Sequence, residues 1–172
     1  EKPDLIKLMI TGGVLDGKEK GEAGVLRMSP EMVKAVCDRA HELGFSVAAH
    51  VEGTEGLKVA LENGVDSIEH GATPDEHIIE LFKQRDAALC TTLSPVLPFV
   101  MLDRFVSHAS EVEQYNASLV FEGIAACSKA ALAAGVPVAL GNDVGCPWIT
   151  QYDFWRELVY FCKFIGVSEA FA

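Results

Sequence analysis

Short apolar runs alternate with longer amphipathic segments along the whole chain. Five runs are apolar over most of their length, as expected for strands that are covered on both faces; they span residues 5–11, 45–51, 67–70, 88–93 and 136–142. Between them apolar residues recur every three or four positions, which predicts helices. These span residues 30–43, 54–63, 74–85, 98–134 (two helices broken near 107–110) and 153–165. Such repeated alternation is typical of an α/β fold with a parallel sheet.

Boundary signals support this division of the chain. Residues 12–28 are acidic and rich in glycine, which predicts a long loop after the first strand. Ser29 is a favourable N-cap residue and Pro30 is favoured in the first helical turn, so the first helix is predicted to begin there. Gly44 and Gly64 follow predicted helices, where glycine commonly ends a helix in the left-handed conformation.

Composition narrows the possible partners. The chain has 172 residues, of which 25 are acidic and 14 are basic, for a formal net charge of -11. An acidic surplus argues against nucleic-acid binding, which needs clustered lysine and arginine. No apolar run approaches the ~20 residues that a membrane-spanning helix needs. Five cysteines without a CxxC pair predict reduced thiols in a cytoplasmic protein. We therefore expect small molecules or proteins as partners.

Ionisable side chains lie in or at the end of four of the five predicted strands. Lys7, His50, Glu69 with His70, and Asp143 occupy these positions, and the carboxyl ends of parallel strands are where α/β proteins build their sites. Taken singly, each residue is more simply explained as a hydrogen-bonded core group or an ion-pair partner. Their joint recurrence favours a shared metal ion, which histidine and carboxylate bind well. A lysine ammonium has no lone pair, so it would need modification first.

Four motifs connect the chain with a known family. IKLMITGG contains Lys7, VAAHVEG contains His50, DSIEHG contains His70 and LGNDVG contains Asp143. In this order they resemble the amidohydrolase superfamily, in its imidazolonepropionase-like and prolidase-like branch. The resemblance implies a partial TIM (β/α)8 barrel whose five strands match the family's fourth to eighth. Residues 1–172 are then expected to be one segment lacking the first strands and the C-terminal end, because a whole barrel takes about 250 residues.

The resemblance also implies a role for each motif residue. Lys7 would be a carbamylated lysine bridging two metals, and His50 and His70 would bind the second metal. Asp143 would bind the first metal, accept a proton from the attacking hydroxide and pass it to the leaving amine. The implied cofactor is one or two divalent ions, zinc first among them. The implied reaction is hydrolysis of an amide, dipeptide or cyclic amide by a metal-activated hydroxide.

Other residues are secondary candidates. Glu52 stands where relatives often carry a second histidine, and we interpret it as a substrate contact, although a solvated glutamate or a group beside the metal would explain it equally well. Trp148 and Tyr152 are expected to line a substrate pocket, although an aromatic cover over the barrel rim would explain them equally well. Glu69 is expected to lie on the strand face opposite His70 and to pair with a helix charge.

Two alternatives stay open from the sequence alone. The family's first-strand His-x-His pair is absent from these residues, so the chain could be a non-catalytic barrel fragment or assembly module. A mononuclear deaminase is the other alternative, but such an enzyme would normally lack a lysine at position 7. For the enzyme, the expected partners are an amide or peptide substrate, the remaining part of the barrel and a second copy in a homo-oligomer. Neither nucleic acid nor membrane is expected.

Overall fold

A computed structural model describes residues 3–172 and shows one parallel five-stranded sheet with helices between the strands. The strands follow one another in the sheet in chain order, and each pairs in parallel with the next. They are β1 (Leu5–Met9), β2 (Ser46–Val51), β3 (Ser67–His70), β4 (Ala88–Thr91) and β5 (Val138–Leu140). This arrangement confirms the predicted α/β class and matches part of a (β/α)8 barrel.

The first three helices begin and end close to their predicted boundaries. They are α1 (Pro30–Glu42), α2 (Thr54–Glu62) and α3 (Glu76–Arg85). The Ser29 side chain accepts a hydrogen bond from the Met32 backbone N–H and so caps α1. Asp75 caps α3 in the same way, through the backbone N–H of Ile78. These local signals are strong, which is why the sequence predicts these three helices well.

The helical region after β4 is divided more finely than the sequence predicts. It contains α4 (Leu97–Met101), α5 (Arg104–Ser107) and α6 (Glu111–Ala133). The predicted break near 107–110 is confirmed, and Ser110 and Glu113 form a capping box at the start of α6. A further break lies at 102–103, because Leu102 is extended and the Asp103 side chain caps a new turn.

The prediction of one amphipathic helix over residues 153–165 is wrong. The segment consists of a 3₁₀ turn (Gln151–Asp153), α7 (Trp155–Tyr160) and a π-helical turn (Phe161–Ile165). Apolar periodicity is retained through all three forms, so the pattern could not separate them. Glu157 of α7 is fully buried and accepts hydrogen bonds from the backbone N–H groups of Leu93 and Ser94. This buried carboxylate fixes the connection after β4 against α7.

The two faces of β1 differ sharply in burial. Leu8 and Ile10 face the helices and belong to the main apolar core, which they share with strands β2–β4 and helices α1–α3. Leu5, Lys7 and Met9 point to the other face, and all three are exposed. Exposure of these alternate positions follows from the two-residue period of a strand. Lys7 is thus accessible on the face that corresponds to a barrel interior.

The strand register keeps Glu69 and His70 at alternate positions of β3, as predicted, but it corrects the predicted partner of Glu69. Directly paired residues of parallel strands point to the same face, and the register joins Met9, His50, Glu69 and Cys90. Glu69 therefore lies on the inner face with His50 and accepts a hydrogen bond from Ser67. The expected pairing with a helix charge is wrong, because the helices pack against the other face.

The cysteines are free thiols. Cys37 and Cys127 are buried, whereas the other three are half-buried, so the expectation of reduced thiols is supported for the chain as described. None of the helices formed by residues 3–172 is long and apolar enough to cross a membrane.

Candidate functional site

A cavity of about 560 Å³ opens at the carboxyl ends of the strands. Each of the five strands, or the connection that follows it, contributes to the wall. The lining residues are Met9, Thr11, Gly13, Val14, Leu15, Asp16, Arg27, His50, Glu52, His70, Pro95, Val96, Phe99, Asp143 and Cys146. Its position agrees with the general location of sites in parallel α/β proteins.

His50 is buried near the end of β2, on the inner face of the sheet. Its Nε2 atom lies 3.5 Å from the backbone oxygen of Gly12, and its ring lies edge-on to His70 with the ring centroids 4.6 Å apart. Burial is the main cause that lowers the pKa of His50, and the charge of Lys7 acts in the same direction. The imidazole is therefore held in the neutral form that a metal ligand requires.

His70 ends β3 with a backbone φ of +72°, in the left-handed region that non-glycine residues rarely adopt. Its Nδ1 atom lies 2.6 Å from the Thr92 hydroxyl, which leaves Nε2 available toward the cavity. Burial, followed by the charges of His50 and Lys7, lowers the pKa of His70 to about 3. Two neutral imidazoles with a partner fixed on one ring nitrogen are typical of a metal-ligand arrangement.

Glu52 completes a three-residue cluster with these histidines. Its carboxylate and one ring nitrogen of each of His50 and His70 lie within 4.8 Å of one another. The Oε2 atom of Glu52 is buried and has no hydrogen-bond partner in the described part of the chain. Burial and the neighbouring charges of Asp16 and Asp143 raise the pKa of Glu52 to about 8. A cation between the three side chains would satisfy this oxygen, so the residues present fit a divalent metal.

Asp143 follows β5 and lines the same cavity from an exposed position. Its backbone φ is +52°, a second left-handed non-glycine residue at this edge of the sheet. Backbone conformations of this kind cluster at functional sites, where the surrounding structure maintains them. The negative charge of Asp143 acts to raise the pKa of His50, against the larger lowering effect of burial, which is consistent with the position of Asp143 across the cavity.

The other predicted site residues lie outside the cavity wall. Lys7 pairs in register with Ala48, two residues before His50 and on the same face, and its charge acts on both histidines. Trp148 and Tyr152 are 49% and 81% exposed, and neither belongs to the described lining of the cavity. The structure thus brings His50, Glu52, His70 and Asp143 together, places Lys7 beneath them and leaves the two aromatic residues outside.

The loop after β1 contributes two charged residues that sequence reasoning missed. Asp16 lines the cavity and accepts a hydrogen bond from the Gly13 backbone N–H at 2.6 Å. Arg27 lines the cavity from the other end of the loop. The glycine-rich character of residues 12–28 predicts a loop, but nothing in the sequence shows how a loop of this length folds back.

Two glycines hold this loop against the end of β2. A Cβ atom on Gly24 would lie 2.5 Å from the Glu52 backbone oxygen, and one on Gly53 would lie 2.1 Å from the Gly24 oxygen. Real Cβ atoms do not approach so closely, so the two backbones meet because neither residue has a side chain. The far side of the loop is held by buried Asn116, which accepts from the Gly21 N–H and donates to the Glu19 oxygen.

Comparisons with known proteins agree with this geometry. The sequence profile of the Amidohydrolase family matches residues 2–167. Ochratoxinase from Aspergillus niger is 29% identical over 159 residues, which cover 89% of this chain and 32% of that protein.

The solved structure of a prolidase candidate from Bifidobacterium longum is 34% identical, with a TM-score of 0.87 over 96% of this chain and 40% of its own. A Xaa-Pro dipeptidase with methionine bound in its active site is 31% identical, with a TM-score of 0.80 over 93% and 38%. The chain therefore spans about one third of the curated relative's length.

Proposed function

Because the chain belongs to the amidohydrolase family, we propose that the protein hydrolyses an amide bond in a dipeptide or a related small amide. The observation that carries the proposal is the convergence of two neutral histidines and two carboxylates on one cavity at the carboxyl ends of the strands. These side chains come from three separate strands and connections. Such convergence is what a site needs and what isolated core residues do not produce.

We propose a divalent metal as the cofactor, held by His50, His70, Asp143 and Lys7. Glu52 is a further ligand candidate, since its carboxylate lies within 4.8 Å of a ring nitrogen of both histidines. When bound, such an ion polarises the substrate carbonyl and makes a water molecule nucleophilic at neutral pH. Zinc suits neutral imidazole and carboxylate ligands, and one or two ions are compatible with this set. Lys7 would take part as a carbamate, since its exposed position on the inner face leaves the amine accessible to CO2.

Asp143 is the proposed proton carrier. Its carboxylate stands on the cavity rim, where it can accept a proton from the attacking water and deliver it to the nitrogen of the leaving amine. Replacement by asparagine would keep the shape and remove the proton acceptor.

The cavity wall supports a small substrate with apolar groups. Val14, Leu15, Val96 and Phe99 form much of the lining, and the volume of about 560 Å³ suits a dipeptide-sized molecule. The similar structures named above, one a Xaa-Pro dipeptidase with methionine in its active site, support a dipeptide over a cyclic amide. Glu52, Trp148 and Tyr152 stay predicted substrate contacts, of which Glu52 alone lines the described cavity.

The test combines metal analysis with a hydrolysis assay on the protein at its natural length. We expect the wild type to hold a divalent metal by elemental mass spectrometry and to cleave apolar dipeptides. His70→Ala should lose metal and activity together, whereas Asp143→Asn should lower kcat by at least about 100-fold, the usual range for loss of an acid–base group. His77→Ala, on an exposed residue beside Glu62, is the matched control. Full metal content and activity in both site variants would contradict the proposal and favour a non-catalytic barrel module.

A further inference from the structure

The cavity wall contains one permanently positive side chain among its described residues, that of Arg27. Three other lining residues are acidic, namely Asp16, Glu52 and Asp143, and most of the remainder are apolar. A guanidinium in such a wall is suited to an anionic group of a ligand, because its planar N–H groups match a carboxylate.

The backbone of Arg27 is fixed beside the end of β1. Its N–H donates to the Ile10 oxygen at 2.8 Å, and the Gly12 N–H donates to the Val25 oxygen at 2.9 Å. Thr11 and Leu26 form an antiparallel bridge between these two contacts. Arg27 therefore leaves the loop at a fixed point on the cavity edge, although its side chain belongs to a long connection.

The guanidinium is also oriented by a neighbouring carboxylate. Glu22 Oε1 accepts a hydrogen bond from the Arg27 Nη2 group at 2.8 Å, while Glu22 Oε2 accepts from the backbone N–H of Lys18 at 2.6 Å. Glu22 is thus anchored by its own loop and holds one edge of the guanidinium. An arginine carries five N–H donors, so the remaining edge can bind a second carboxylate.

Gly12 lies between Arg27 and the histidine cluster. A Cβ atom on Gly12 would lie 3.3 Å from Arg27 Nε, and the Gly12 backbone oxygen lies 3.5 Å from His50 Nε2. One residue thus separates the guanidinium from the proposed metal ligands. In a dipeptide the free carboxylate stands one residue beyond the scissile bond, and consecutive Cα atoms are about 3.8 Å apart.

We propose that Arg27 binds the free α-carboxylate of the substrate, so that the bond cleaved is an amide to the nitrogen of a C-terminal α-amino acid. This inference rests on the proposed hydrolytic function and narrows it. Dipeptides and N-acyl amino acids with an apolar side chain are substrates, whereas cyclic amides and peptides with a blocked C-terminus are poor ones. Arg27 acts on specificity, and Glu22 positions it.

The test compares Leu-Leu with Leu-Leu amide, which differ only at the C-terminal carboxylate. The wild-type protein at its natural length should prefer the free acid. Arg27→Gln should lower kcat/KM for Leu-Leu on the order of 100-fold, as expected for a lost charge-assisted pair, with little change for the amide. Arg27→Lys should retain part of the preference, because the charge remains without the fork. Arg39→Gln is the control, since Arg39 lies exposed on α1 and pairs with Glu42.

A calorimetric titration with leucine and leucinamide provides a second readout. Leucine should bind the wild type more tightly than leucinamide does, and Arg27→Gln should remove the difference. Equal cleavage of the two peptides by the wild type, or an equal loss of both in Arg27→Gln, would overturn the role of Arg27 and leave the hydrolytic function standing. If neither peptide is cleaved, the proposed function fails on these substrates and the titration alone decides the carboxylate site.

Discussion

At the scale of single residues, Glu52 shows how strongly the surroundings determine chemistry. Glu52 lies two positions after His50 in the sequence. That position does not distinguish an exposed substrate contact from a buried carboxylate. Only the fold reveals that its Oε2 atom is buried without a partner and stands within 4.8 Å of ring nitrogens of two histidines. The sequence thus identified Glu52 as a candidate site residue. Its burial, which raises the pKa of the carboxyl, depends on contacts with residues distant in the sequence.

We predict that the metal-free protein gains stability from Glu52→Gln as the pH rises. The folded-state pKa of about 8 is above the ordinary value of 4.5, so the folded protein keeps a proton that the unfolded chain releases. The stabilising effect of the wild-type group is therefore fully present below pH 4.5 and is lost between pH 4.5 and 8. Glutamine does not titrate, so Glu52→Gln does not lose this stability. Between pH 5 and pH 8, the free energy of unfolding of the variant should rise by about 1–3 kcal/mol relative to that of the wild type.

Denaturant unfolding with a chelator present measures this effect. Glu55→Gln is the matched control, since Glu55 is exposed in the first turn of α2. A pH-independent difference between wild type and Glu52→Gln would show that the carboxylate is ionised in the folded protein.

At the scale of elements, local signals predicted what local contacts determine. Capping residues and apolar periodicity gave helices α1–α3 and the order of all five strands. β3 has its predicted bounds, whereas β1, β4 and β5 are shorter than predicted, because apolar residues flank their paired residues in the connections. The final segment was predicted wrongly, since the 3₁₀ turn, α7 and the π-helical turn are each only three to six residues long, too short for their different periods to show in the apolar pattern.

The loop after β1 provides an element-scale prediction. Gly24 and Gly21 both have φ of +87°, but only Gly24 would place a Cβ atom against another backbone, that of Glu52. Gly21→Ala should cost about 1–2 kcal/mol through its left-handed conformation. Gly24→Ala should cost more and also lower activity, because the loop that carries Asp16 and Arg27 must shift. Thermal unfolding and the dipeptide assay measure the two effects; equal stability and equal activity of the two variants would contradict the role of the close approach.

At the scale of the whole molecule, the sheet of the described residues has two edges, β1 and β5, and the inner-face side chains of β1 are exposed. Leu5 is 47% exposed and Met9 is 56% exposed on that face. Strand edges with apolar neighbours pair readily with other chains. We therefore predict that residues 1–172 produced alone associate as concentration rises, and that Leu5→Lys lowers this association. Sedimentation velocity over a concentration series measures it, with Leu43→Lys just after α1 as an exposed control; a wild-type chain that stays monomeric would contradict the prediction.

The candidate site was predictable where it lies on strands and unpredictable where it lies on the loop. His50, His70 and Asp143 follow from one rule, since parallel strands bring their carboxyl ends to one edge. The loop that carries Asp16 and Arg27 is held at the same cavity by contacts of its Gly24 with Gly53 and of its Gly21 with Asn116, both distant in sequence. No period or spacing records such contacts, so a single sequence does not reveal them.

The close contact between the Gly24 and Gly53 backbones would allow the substrate selectivity of the protein to be changed without altering the fold. The contact fixes the base of the loop, while Val14, Leu15 and Asp16 near its beginning face the cavity. The fold thus separates the fixed base of the loop from the positions that face the cavity. A library randomised at these three positions, with both glycines retained, would sample new substrate preferences on an unchanged scaffold.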